Sequence, residues 1–168
     1  MAASKLVDLG ITRVWWVTDA AFNPAAPTAA LINAGKDLST YLLPDYVFAA
    51  DSSTTISERD ITAVVDSDTP TIGKVKGSLH LFRAFNQQTG APDTTDLEST
   101  FVGNPTGWLV RRTGFATATA LVATHLVELA NFVADVPQKE GGTGTGFLKL
   151  TVPLLAQGLY TPSFTLIA

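Results

Sequence analysis

Between Thr124 and Leu155 the chain carries two extended apolar runs, Thr124 to Val136 and Phe147 to Leu155, joined by a loop that ends in Gly-Gly-Thr-Gly-Thr-Gly at 141–146. The pattern predicts a β-hairpin with a glycine-rich turn. The thirteen residues of the first arm, at about 3.3 Å each, reach roughly 40 Å, more than a small β-domain usually spends on one strand. The second arm alternates, with Leu148, Leu150, Val152 and Leu154 on one face and Lys149 and Thr151 on the other, so one face packs on a core. The first arm does not alternate. Leu126, Ala130, Phe132 and Val136 share a face with Glu128, while Val127, Leu129 and Val133 share the other with His125, Asn131 and Asp135. Two mixed faces require cover on both sides, and a second copy of the chain is one source of that cover.

Length and charge narrow the class. At 168 residues the chain fits one domain, 1–168, able to bury about 70% of its unfolded surface without staples. Charged residues are 15% of the chain, against about 25% in ordinary globular domains. A subunit with large contact areas shows this, and so does a compact monomer with a Thr- and Ser-covered surface. The net charge of −4 argues against general nucleic-acid binding, which draws on clustered Lys and Arg. Seven acids (Asp37, Asp45, Asp51, Glu58, Asp60, Asp66, Asp68) and one base, Arg59, lie between positions 37 and 68. They read either as a solvated face or as a surface that repels an anionic partner. Without cysteine there is no disulfide, thiolate metal site or thiol nucleophile. No stretch has the apolar core of a secretory signal or the length of a membrane span, which places synthesis and initial residence in the cytosol.

Strand signals dominate the rest. Ile11 to Thr18 contains Trp15 and Trp16, which must point to opposite faces of a strand. Thr28 can cap and Gly35 can end one short helical turn. Leu38 to Leu43, Ile56 to Val65, Lys74 to Phe85, Trp108 to Thr113 and Tyr160 to Leu166 read as further strands. Tyr46, Val47 and Phe48 precede a polar run to Thr55, the pattern of a projecting loop at about 43–55 whose aromatics need a partner or fold back on the domain's own edge. Thr95 to Glu98 has capping-box spacing, with Leu97 and Phe101 four apart, and predicts a helix over 96–102. Strands outnumber helices without βα alternation, so the fold class is mainly β, a β-sandwich or partly closed barrel with one short flanking α-helix.

Catalytic chemistry is not legible. His80 and His125 each sit in a predicted strand without a second donor at ligand spacing. Ser78 and His80 are side by side on one face without a nucleophile elbow. The loop at 141–146 lacks the Lys-Ser/Thr ending and the following helix of a phosphate-binding loop. Arg111 and Arg112 point oppositely on a strand and read as ion-pair partners. The sequence therefore predicts no enzyme, cofactor or metal.

The order of Trp15-Trp16, the Ala-Pro-Thr-Ala-Ala-Leu segment at 26–31 before Gly35-Lys-Asp-Leu38, Val75 to Phe82, Gly107-Trp-Leu-Val-Arg-Arg-Thr-Gly114 and Gly146 to Leu154 resembles the major tail tube proteins of long-tailed, siphovirus-type bacteriophages, notably those of actinobacteria. The resemblance spans nearly the whole chain. It implies a β-sandwich-like barrel with a flanking helix, and homohexameric rings stacked into a tube around the tape-measure protein. It implies terminator and distal tail proteins as further partners, DNA passing through without specific binding, and a place in the virion tail after assembly in the host cytoplasm. An acidic lumen would repel DNA within about 8 Å in physiological salt. On this mapping Tyr46, Val47 and Phe48 form an inter-ring contact. Val127, Leu129, Asn131 and Val133 belong to a sheet continuous between subunits, and the glycine loop is a turn at a ring edge. The alternative is a β-sandwich carbohydrate- or receptor-binding module of a tail tip or capsid decoration, with Trp16, Trp108 and Tyr160 as an exposed platform.

Overall fold

A computed structural model describes residues 10–58, 67–83, 85, 89, 97–140 and 148–167. The strands, in chain order, are β1 (Thr12–Thr18), β2 (Lys36–Asp37), β3 (Val47–Glu58), β4 (Ser67–Phe82), β5 (Thr106–Thr113), β6 (Leu126–Ala134), β7 (Gln138–Lys139) and β8 (Lys149–Thr165). They form one antiparallel sheet of eight strands in the order β2-β1-β5-β6-β8-β4-β3, with β7 paired to β8. The sheet curls without closing. The segment after β2 spans the gap: Leu38 N–H donates to the Val14 carbonyl at 2.9 Å, Leu43 N–H to His80 at 2.8 Å, and Phe82 N–H to Tyr41 at 2.8 Å. The mainly β class is as the patterning predicts, with a single short α-helix among the described residues.

The two expected arms do pair, with Val133 opposite Leu155 and Leu126 opposite Thr165. The second arm and the expected closing strand are one element, however, since β8 runs for 17 residues. It continues because Gly158, at φ 102°, absorbs a bulge between the Phe132–Ala156 and Ala130–Tyr160 pairs. Leu150, Val152 and Leu154 are buried as the alternation requires, whereas Leu148, before the strand, is exposed.

The mixed faces of β6 have cover within the chain. Ala130, Phe132 and Ala134 enter an inner core inside the curl with Trp16, Leu79, Leu109 and Val152. Val127 and Leu129 enter an outer core with Trp15, Trp108 and Ile32. The second copy invoked for cover is not required, because the helix α1 (Ala29–Ala34) and the chain's last residues pack on the outer face. Trp15 and Trp16 are each 1% exposed, one in each core.

The helix is the one opened by Thr28, whose Oγ1 accepts from Leu31 N–H at 3.3 Å, and closed at Gly35. The other predicted helix is reduced to a 3₁₀ turn, Ser99–Phe101. Its Leu97 and Phe101 are buried as the spacing requires, and the first part of its capping box lies outside the described residues. The strand expected over Leu38 to Leu43 is instead a turn, because Asp37 Oδ1 accepts from both Ser39 N–H, at 2.9 Å, and Ser39 Oγ–H, at 2.6 Å.

Candidate functional site

The outward-facing surface is made of sheet edges, segments that leave the sheet, and exposed charged and apolar groups. The edge at β3 is the long one. Strand β4 pairs with β8 only from Gly77 to Phe82, but with β3 from Ser67 to Ser78. Residues 49–58 and 67–76 therefore form a two-stranded ribbon with no third strand among the described residues. Ten residues at about 3.3 Å give it a reach of roughly 33 Å. Its register shifts between Asp51 and Thr55, a bulged irregularity of the kind that twists exposed edges.

Tyr46, Val47 and Phe48 sit at the root of this ribbon rather than on a tip. Phe48 is 3% exposed, edge-on to Phe132 at 6.1 Å and to Tyr160 at 6.2 Å. Tyr46 packs against the same core. Phe48 is thus part of the subunit core and Tyr46 and Val47 are half-buried beside it, at the base of the ribbon that extends outward.

The four β6 positions also have defined places, Val133 being half-buried between Thr106 and Leu155. Val127 and Leu129 are buried in the outer core, and Asn131 donates to the Gly107 carbonyl at 3.2 Å and to Asp19 Oδ1 at 3.3 Å. Both edges of β6 are occupied, by β5 and β8. It is an interior strand of the subunit's sheet, whose terminal strands among the described residues are β2 and β3. The glycine loop at 141–146 lies outside the described residues.

A polar cluster closes one part of the inner core. Glu128 Oε2 accepts from Arg111 Nε at 2.8 Å and from Nη2 in a shorter bond, and Glu128 Oε1 accepts from the Tyr160 hydroxyl at 2.6 Å. Arg111 also donates to the Tyr46 hydroxyl at 3.4 Å and lies 5.0 Å from the Phe48 ring centre. Burial acts to lower the Arg111 pKa, but the bonds to Tyr46 and Glu128 outweigh it and raise the value. Burial and Glu128 together push the Tyr160 hydroxyl up to about 12.

Arg112 points to the opposite face, as expected, but has no carboxylate partner among the described residues. It is fully buried and donates to the carbonyls of Ala116 at 3.1 Å, Thr119 at 2.8 Å and Ala120 at 3.3 Å. Burial, then Arg13, lowers its pKa. Among the described residues the expected ion pair thus holds for Arg111, whereas the Arg112 guanidinium donates to carbonyls.

Of the seven clustered acids, Asp37, Asp45 and Asp51 have described side chains, and each is paired: Asp37 with Arg13 at 2.6 Å, Asp45 with His80 at 3.0 Å and Asp51 with Lys76 at 3.1 Å. Burial acts to raise the Asp37 pKa, but bonds from Ser39 and Arg13 lower it overall; His80 lowers that of Asp45, and Lys76 that of Asp51. His125 accepts from Val122 N–H at 3.5 Å and stacks on Phe115 at 4.3 Å. Trp16 and Trp108 are buried, and Tyr160 is held by Glu128, so the aromatic platform of the binding-module alternative is not assembled.

The family model for phage tail tube proteins matches residues 1–167. The chain belongs to that family. No curated protein matches it. Among solved structures, a chain of the anti-feeding prophage baseplate, determined by cryo-electron microscopy with 6-fold symmetrisation, aligns over 99% of this chain and 98% of its own, at 13% identity and a TM-score of 0.53. That likeness is one of fold.

Proposed function

We propose that this tail structural protein is the tube subunit: six copies close into a ring, rings stack around the tape-measure protein, and DNA crosses the lumen without specific binding. Terminator and distal tail proteins bound the two ends, and assembly takes place in the host cytoplasm before the tube becomes part of the virion tail. The observation that carries this reading is the ribbon of β3 and β4. A two-stranded ribbon is marginal alone in water, and a long unpaired edge invites pairing with another chain. A neighbouring copy satisfies both. We assign the inter-ring contact to this ribbon, anchored by Tyr46, Val47 and Phe48, and sheet continuity within the ring to the terminal edges. Head-to-tail contacts that close by rotation make rings of this kind.

The experiment is electron microscopy of the purified chain beside a variant in which residues 49–76 are replaced by a short turn. Wild-type tubes and unstacked rings from the variant support the assignment. Tubes of normal length from the shortened chain would falsify the ribbon's role, and a wild-type chain that stays monomeric at every concentration refutes the tube reading. Because Phe48 is core, its replacement by Ser is expected to unfold the subunit and is a poor test of stacking.

A further inference from the structure

Large exposed apolar side chains gather at the two opposite ends of the β5–β6 pair. Phe115 (41% exposed) and Val122 (49%) lie in the connection between β5 and β6, and Leu126 (57%) opens β6. Val102 (70%), Val136 (63%) and Leu155 (53%) lie at the other end, where Thr106 is opposite Val133 and Val133 opposite Leu155. A strand of nine residues separates the two groups, or about 30 Å.

The first group is carried by a prepared surface. From Thr113 to Val127 the chain has no Asp, Glu, Lys or Arg. Residues 114–120 are exposed throughout, yet the loop is pinned from beneath by the three carbonyl bonds of Arg112. The same guanidinium lies 5.3 Å behind the Phe115 ring and 6.0 Å from Trp15, and His125 covers the other side of Phe115. An exposed, uncharged loop held rigid by a buried cation is pre-organised for contact, since little side-chain or backbone freedom is left to lose. Beside Leu126, on the face that carries the Arg111–Glu128 pair, lies a hollow of about 240 Å³ lined by that pair, Thr113, Val127, Pro162 and Ser163.

We infer that the loop 114–126, organised by Arg112, docks the Val102–Val136 end of a second copy of this chain. The inference rests on the tube reading and gives it a second, apolar contact beside the ribbon. Two different patches on one molecule, one of them next to a hollow, make a heterologous head-to-tail contact. The charges complement one another. Arg13 and Arg111 are neutralised by Asp37 and Glu128, which leaves the Arg112 cation behind the docking loop. Asp135 and Glu140 flank Val136, and neither carboxylate has an ion-pair partner within 4.0 Å among the described residues. Docking thus strands no charge on the loop side and brings carboxylates toward a cation.

The test uses two full-length variants, Phe115→Asp/Val122→Asp at the loop and Val102→Asp/Val136→Asp at the far end, each checked for native circular dichroism. Each alone is expected to raise the concentration at which assemblies grow about tenfold or more, as loss of a central apolar contact does. Mixed in equal amounts, they retain one intact loop and one intact far end. Analytical ultracentrifugation should then show a species of twice the mass that either shows alone. Should a variant misfold, the Phe115→Ser and Val136→Ser pair serves in its place. Wild-type growth from both variants, or no doubling in the mixture, overturns the contact while wild-type tubes leave the tube reading intact. Doubling without wild-type tubes upholds the contact and refutes the tube.

Discussion

Replacing Glu128 by Ala removes the acceptor of Arg111 and Tyr160 at once. The side chains of the pair are 26% and 14% exposed, so the loss falls short of the roughly 3–5 kcal/mol seen when a fully buried pair is broken. Discounting for solvent access gives about 2–3 kcal/mol, most of it the cost of leaving the Arg111 cation beside Phe48 without a counterion. For a domain of this size that corresponds to a melting temperature about 5–10 °C lower. Thermal and urea denaturation followed by circular dichroism measure it. The double variant Arg111→Met/Glu128→Leu separates the two sources of loss. If stranding the charge dominates, the double variant should recover to within about 1 kcal/mol of wild type, because an apolar pair of similar shape replaces the ion pair at little cost. A Glu128→Ala variant melting with wild type, or a double variant worse than the sum of its singles, refutes the reasoning.

Gly107→Ala places a methyl carbon 2.6 Å from two atoms of the Trp16 ring and 2.7 Å from the Val17 carbonyl. The expected cost is about 1–3 kcal/mol or more, read as a lower urea midpoint with an unchanged m-value. The lowered Asp37 pKa gives stability that is present above its ordinary value of 3.8 and lost as pH falls through the folded value. The melting-temperature gap between wild type and Asp37→Asn should therefore close on acidification below 3.8, and a gap constant from neutral to strongly acid pH contradicts that account. For Tyr160 the direction is opposite. Its hydroxyl is raised from 10.0 to about 12, so its contribution is complete below pH 10.0 and disappears as pH rises toward about 12. Ultraviolet absorbance titration should show one late tyrosine that shifts to lower pH in Glu128→Gln.

The elements that sequence made legible are those whose faces differ. Trp15 and Trp16 had to take opposite faces of a strand, and they are buried one in each core. Thr28 and Gly35 marked the one α-helix correctly because capping is local chemistry. Leu38 to Leu43 misled because an Asp37–Ser39 side-chain turn outcompeted strand propensity. The cover for β6 was not legible, since it comes from residues as distant as Ile32 and Leu166. The root position of Phe48 was hidden in the same way, because its partners Phe132 and Tyr160 are far along the chain. Arg112 carried no signal beyond its neighbour, as carbonyl acceptors leave no mark in sequence.

The shared strands of the two cores also have a mechanical meaning. Trp15 and Trp16 are consecutive residues, yet one is locked under α1 and the other inside the curl. Sliding the outer layer over the inner wall would have to draw both indoles out of close-packed surroundings at the same time, and packed interiors resist such deformation. The subunit is therefore stiff in shear, like a laminate riveted through its middle ply. In an assembly built of such blocks, bending is taken up at the joints between copies and leaves the interior of each copy unchanged.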